Sequence, residues 1–145
     1  MTTTAVHDAY KVIARRFNEH SATAYADRIP QKAGTNTPVS PPYYHYFWTG
    51  GGEDNVIVGH HANLVFIVKA VGLTFSEALD MCANLVVWLD DQGTQDLVTG
   101  YLTGGESWTV TATMQETTFH QVVDKTGSTT QEYHDGFYLR LFMER

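Results

Sequence analysis

The run from about His60 to Val71 sets the strongest limit on what this chain can fold into. Leu64, Phe66 and Val68 fall on one side of an extended segment, and Val65, Ile67 and Val71 on the other, because successive side chains point to opposite faces of a strand. A strand that is apolar on both sides belongs inside a sheet, with both faces covered. Helices of the same chain can cover one face. The other face calls for a neighbour.

The covering helices are legible. Thr74 with Glu77 three residues on makes a capping box, and Phe75, Ala78, Leu79, Cys82, Leu85, Val86 and Leu89 recur at helical spacing on one stripe. Met81, Val87 and Trp88 widen the apolar surface beyond what one core requires, which suits either packing under a loop or an interface. Asp90 and Asp91 end this helix with negative charge where its dipole favours positive, a conflict of about 0.3–1 kcal/mol for each exposed charge. An earlier helix starts after Thr4 as N-cap and buries Val6, Ala9, Tyr10, Ile13 and Phe17, with Asp8 early and Arg15 and Arg16 late, the order the dipole prefers.

The remaining elements are extended. Ser21 to Pro42, with Gly34, Asn36 and four prolines, reads as a long, partly ordered connection. Tyr43 to Trp48 is a short aromatic strand, and Gly50-Gly51-Gly52-Glu53-Asp54-Asn55 is turn chemistry. Trp108, Val110, Ala112 and Met114 alternate with threonines, and Phe137, Leu139, Leu141 and Met143 alternate with Tyr138, Arg140, Phe142 and Glu144. These two strands pair antiparallel through a polar tip from Asp124 to Ser128. The 145 residues therefore form one α+β domain: an antiparallel or mixed sheet of about four strands, with two main helices packed on one face.

Composition narrows the function. A net charge of −7 with only 9 Lys and Arg argues against an open nucleic-acid-binding face, since phosphate affinity comes from clustered cations. Cys82 is the single cysteine, so no intramolecular disulfide forms and a reducing compartment is expected. The N-terminus lacks the basic and apolar regions of a signal peptide, and no apolar run is long enough to span a membrane. The expectation is a protein made in the cytoplasm.

No motif carries catalysis. His60-His61 would point to opposite faces of a strand and cannot chelate one ion, although His45 could pair with His60 across strands. Gly50-Gly51-Gly52 lacks the Gly-Lys-Ser/Thr of a phosphate loop and reads as a hairpin turn. Cys82 lies inside the apolar stripe of a helix, where a thiol is inert. Lys11, Arg15 and Arg16 share the outer face of the first helix, either solvated or meeting an acidic partner. No cofactor and no metal are expected. An enzyme or small-ligand pocket would have to be built on the aromatic strand.

Several stretches together resemble the tail terminator, or tail-completion, family of long-tailed phages. They are the opening helix, Asp27-Arg28-Ile29-Pro30 leading to Tyr43–Trp48, Ala62-Asn63-Leu64-Val65-Phe66-Ile67-Val68 running into Thr74-Phe75-Ser76-Glu77-Ala78-Leu79, and the closing Gly136-Phe137-Tyr138-Leu139-Arg140-Leu141-Phe142. The resemblance implies a structural virion protein at the head–tail junction. Such a protein forms a ring, typically a hexamer, that caps the tail tube, stops its polymerisation and offers a surface to the neck proteins. It brings no catalytic residues. Trp48, Val65, Ile67, Met81, Val87 and Trp88 are the candidate subunit or partner interface, and Glu53, Asp54, Asp90, Asp91 and Asp96 the candidate acidic residues facing a lumen through which DNA passes without specific binding. A head-completion or neck adaptor is the alternative in the same class.

Overall fold

The computed structural model describes residues 4–53, 61–89, 108–124 and 131–145. The elements follow one another as α1 (Ala5–Glu19), β1 (Ala24–Ala26), β2 (Tyr43–Glu53), β3 (His61–Gly72), α2 (Phe75–Leu89), β4 (Thr109–Asp124) and β5 (Gln131–Glu144). The strands form one sheet in the order β1-β2-β3-β5-β4, with β1 parallel to β2 and the other pairs antiparallel. The two-sided apolar run is thus the central strand. Leu64, Phe66 and Val68 are fully buried beneath the helices, while Val65 and Ile67 are half-buried on the opposite face.

Both helix starts behave as the sequence dictates. The Thr4 hydroxyl accepts from the His7 amide at 3.2 Å, and Thr74 accepts from Glu77 at 3.1 Å. The Glu77 carboxylate reaches back to the Leu73 amide at 3.0 Å, one residue earlier than the standard box. One core lies between the helices and the inner face of the sheet. It joins Ala9, Ile13 and Phe17 of α1 and Leu85 and Leu89 of α2 to Tyr44, Tyr46, Phe137, Leu139 and Trp108. Phe17 stacks on Tyr46 at 5.3 Å and meets Trp88 edge-on at 6.3 Å, so aromatic packing ties α1, α2 and β2 together.

Four expectations are corrected. The sheet has five strands, because Ala24–Ala26 inside the long connection pairs with Tyr44–Tyr46. Gly50, Gly51 and Gly52 do not form the turn: they continue β2 opposite Val65, Leu64 and Asn63 after a bulge between Trp48 and Gly50. Gly51 sits at φ +79°, and a Cβ there would lie 2.0 Å from the Asn63 carbonyl oxygen, so only glycine lets the two backbones approach this closely. In β4 a bulge between Val110 and Ala112 inserts Thr111 and reverses the facing of the residues after it. Val110 is buried, whereas Ala112 and Met114 are exposed on the outer face. The fourth correction is Arg16, which is buried rather than part of a solvated basic face. Its Nε donates to the Trp88 carbonyl at 2.7 Å and its Nη1 to Glu19 at 3.1 Å.

Candidate assembly surfaces

Both helices lie on one face of the sheet and leave the other face to be covered by something else. Cross-strand register places Phe47, Ile67 and Tyr138 in one row, and Val65, Arg140 and Met114 in the next. Phe47, Val65, Ile67 and Tyr138 are half-buried and Met114 is 48% exposed. Arg140 anchors this face by donating to the Glu116 carboxylate and to Asn63 at 2.7 Å. That pair holds the Glu116 carboxyl below and the Arg140 guanidinium above their ordinary ranges.

At the β2–β3 end the same face becomes dry. Tyr43, Val71 and Glu132 are buried, with His45, Lys69 and His134 beside them. Burial pushes the Tyr43 hydroxyl up to about 12, with the Glu132 charge adding to it. Burial also lowers both histidines and Lys69, and the lysine charge lowers the histidines further. His45 does not pair with a histidine: its register partner is Lys69, and its Nε2 donates to the Asp27 carbonyl at 2.5 Å. His60 lies outside the described residues.

The second apolar surface lies on the helix side, where α2 stops short of β4. A groove of about 430 Å³ runs between Leu79, Cys82, Ala83 and Val86 of α2 and Gln115, Thr118 and His120 of β4, with Asp135 on its floor, a volume in the range of ligand-sized pockets. Phe75 is 51% exposed at its mouth, with the His120 ring edge-on at 4.9 Å. His120 Nδ1 donates to Asp135 Oδ1 at 2.6 Å. Burial, reinforced by the nearby Asp135 charge, pushes the Cys82 thiol up to about 11, so it is protonated at neutral pH.

The six residues expected at an interface do not form one patch. Val65 and Ile67 share the outer sheet face, whereas Trp48 follows the helix-side register, opposite Phe66. Trp48 is 43% exposed and its indole N–H donates to Gly50 O at 2.6 Å. Met81 and Trp88 pack on the core, Trp88 stacked against His20 at 4.4 Å, and Val87 projects to solvent at 56% exposure. The surplus apolar surface of α2 is therefore Val87, as its place off the core stripe suggested, together with Phe75 and Leu79, which helical spacing alone assigned to that stripe. What reasoning from sequence missed is that α2 crosses β3 and β5 and leaves its β4 side open.

Of the acidic residues expected to line a lumen, Glu53 ends β2 on the surface, its Oε1 accepting from the Ala5 amide at the start of α1 at 3.4 Å. Asp54, Asp90, Asp91 and Asp96 lie outside the described residues. Among the described residues, no three His, Cys, Asp or Glu side chains converge as a metal ligand set, and no helix is long and apolar enough to cross a membrane. No family model matches the chain, and no curated protein matches it.

Proposed function

We propose that this chain is a structural virion protein that assembles into a ring, closes the head-proximal end of a phage tail tube and joins it to the neck, without catalysis of its own. The observation that carries this reading is a sheet apolar on both faces with both helices on one of them. Phe47, Val65, Ile67 and Tyr138 on one side and Phe75 and Leu79 on the other give each subunit two different apolar patches, the requirement for a cyclic assembly of identical chains. The element order and the stretches that resemble tail terminators supply the place in the virion. The net charge of −7 suits a passage for DNA, because an acidic wall does not trade counterions with phosphates.

The test adds the purified protein to polymerising tail tube protein and measures tube length and end occupancy by electron microscopy. Rings at one end of tubes that have stopped growing are expected. Tubes of unchanged length with bare ends refute the terminator reading, and binding to a neck connector instead identifies the adaptor.

A further inference from the structure

The chain between β1 and β2 leaves the body of the protein as an arm with its own internal order. Asp27, at φ 55°, turns the backbone out of β1. Val39 then donates to the Pro30 carbonyl at 2.9 Å and Lys32 to the Thr37 carbonyl at 2.8 Å, while Gln31 and Pro38 form an antiparallel bridge. The tip is a turn closed by Thr35 N–H to Lys32 O at 3.0 Å, with Gly34 supplying the positive φ it needs. Residues 30–38 are exposed throughout. From Arg28 to Pro42 the arm carries two cations, Arg28 and Lys32, and no acid, in a chain of net charge −7. Neither cation has an ion-pair partner among the described residues.

The opposite edge of the sheet has the complementary features. Asp135 is 3% exposed, and one carboxylate oxygen is held by His120. The other, Oδ2, is buried with no hydrogen-bond partner among the described residues, and Asp135 lines the groove between α2 and β4. An unmatched buried carboxylate oxygen is costly, and a cationic donor satisfies it best. Leu79 and Phe75 beside it offer apolar surface for an aliphatic stem, as lysine and arginine require.

We infer that the arm of one copy docks in the α2–β4 groove of a second copy, with Arg28 or Lys32 donating to Asp135 Oδ2. The arm leaves the sheet at β1 and the groove lies at β4, about 19 Å away across four strand spacings. Two different surfaces at opposite edges make the contact head-to-tail, so each copy offers one arm and one groove and successive copies close into a ring. The inference rests on the ring-forming part of the proposed function and is independent of the tail tube.

Light scattering over a concentration series tests it with the unaltered chain, an Arg28→Ala/Lys32→Ala variant and a Leu79→Lys variant. All three changed positions are exposed, so folding is preserved, which circular dichroism verifies. The unaltered chain should form a discrete oligomer, and each variant alone should need about tenfold to a hundredfold higher concentration to associate, the one because the arm has lost the cations that donate and the other because a like charge in the groove repels them. Mixing the two variants restores one good arm and one good groove, so a 1:1 dimer that grows no further is expected. A third variant, Asp135→Asn, keeps an oxygen for His120 and should weaken association while leaving the fold intact. The inference is overturned if the arm variant assembles like the unaltered chain, if the mixture yields no dimer, or if the unaltered chain stays monomeric. Normal assembly without tube capping refutes the tail reading and leaves this contact standing.

Discussion

Replacing Arg16 with methionine should destabilise the protein by about 2–3 kcal/mol, although Arg16 lies on a helix whose exposed cations contribute little. Its Nε donates at 2.7 Å to the carbonyl of Trp88, one residue before the end of α2. That carbonyl is among the last four of the helix, which have no partner within it. A hydrogen bond with one charged partner contributes about 1.5–3 kcal/mol, and a cation at a helix C-terminus up to about 1 kcal/mol through the same dipole, so the two overlap. The ion pair with Glu19 adds only about 0.3–0.5 kcal/mol, because Glu19 is 42% exposed. Methionine retains most of the apolar stem, so packing changes little. Urea unfolding should show a lower midpoint with an unchanged slope, and thermal unfolding a midpoint lower by about 5–10 °C. Glu19→Gln should cost no more than about 0.5 kcal/mol. A loss below about 0.5 kcal/mol for Arg16→Met would refute the view that α1 caps α2.

Stability should also depend on pH through the dry end of the outer face. Burial lowers His45 and His134, and the Lys69 charge lowers them further, so the unfolded chain binds protons more readily than the folded one. Their contribution is present above the ordinary histidine range near 6.5 and is lost as pH falls from there through their lowered values. The thermal midpoint should drop between about pH 7 and pH 5, and His134→Gln should flatten the drop; an unchanged profile would exclude His134 as its source. In an assembled virion, lysines at Glu53, Asp54, Asp90, Asp91 and Asp96 should slow or block DNA ejection with the ring intact, and ejection at the normal rate would rule out an acidic lumen at these positions.

Strong local patterns were legible without the structure. Thr4 and Thr74 mark their helix starts because capping needs only residues three or four apart. The alternation in β3 and β5 marks central strands because burial on the helix side selects every second residue. The candidate site was less legible. A bulge at Thr111 turns Ala112 and Met114 outward, and a single added residue leaves no mark in composition. Gly50–Gly52 read as a turn because the need for glycine at Gly51 comes from the backbone of β3 at Asn63, which is beyond the few residues a turn pattern spans.

Residue order was enough to set the α+β class, both helices with their N-caps, and a central strand apolar on both faces. It also set the acidity that disfavours a nucleic-acid-binding surface. Which apolar residues stay exposed was settled only by packing, because that depends on where α2 crosses the sheet. The cation missing from the end of α2 illustrates the division. The last turn of α2 carries no basic residue, and the compensation comes from Arg16, on another helix and 72 residues from its Trp88 partner. Local rules see only a few residues along the chain, whereas hydrogen bonds and charges act through space.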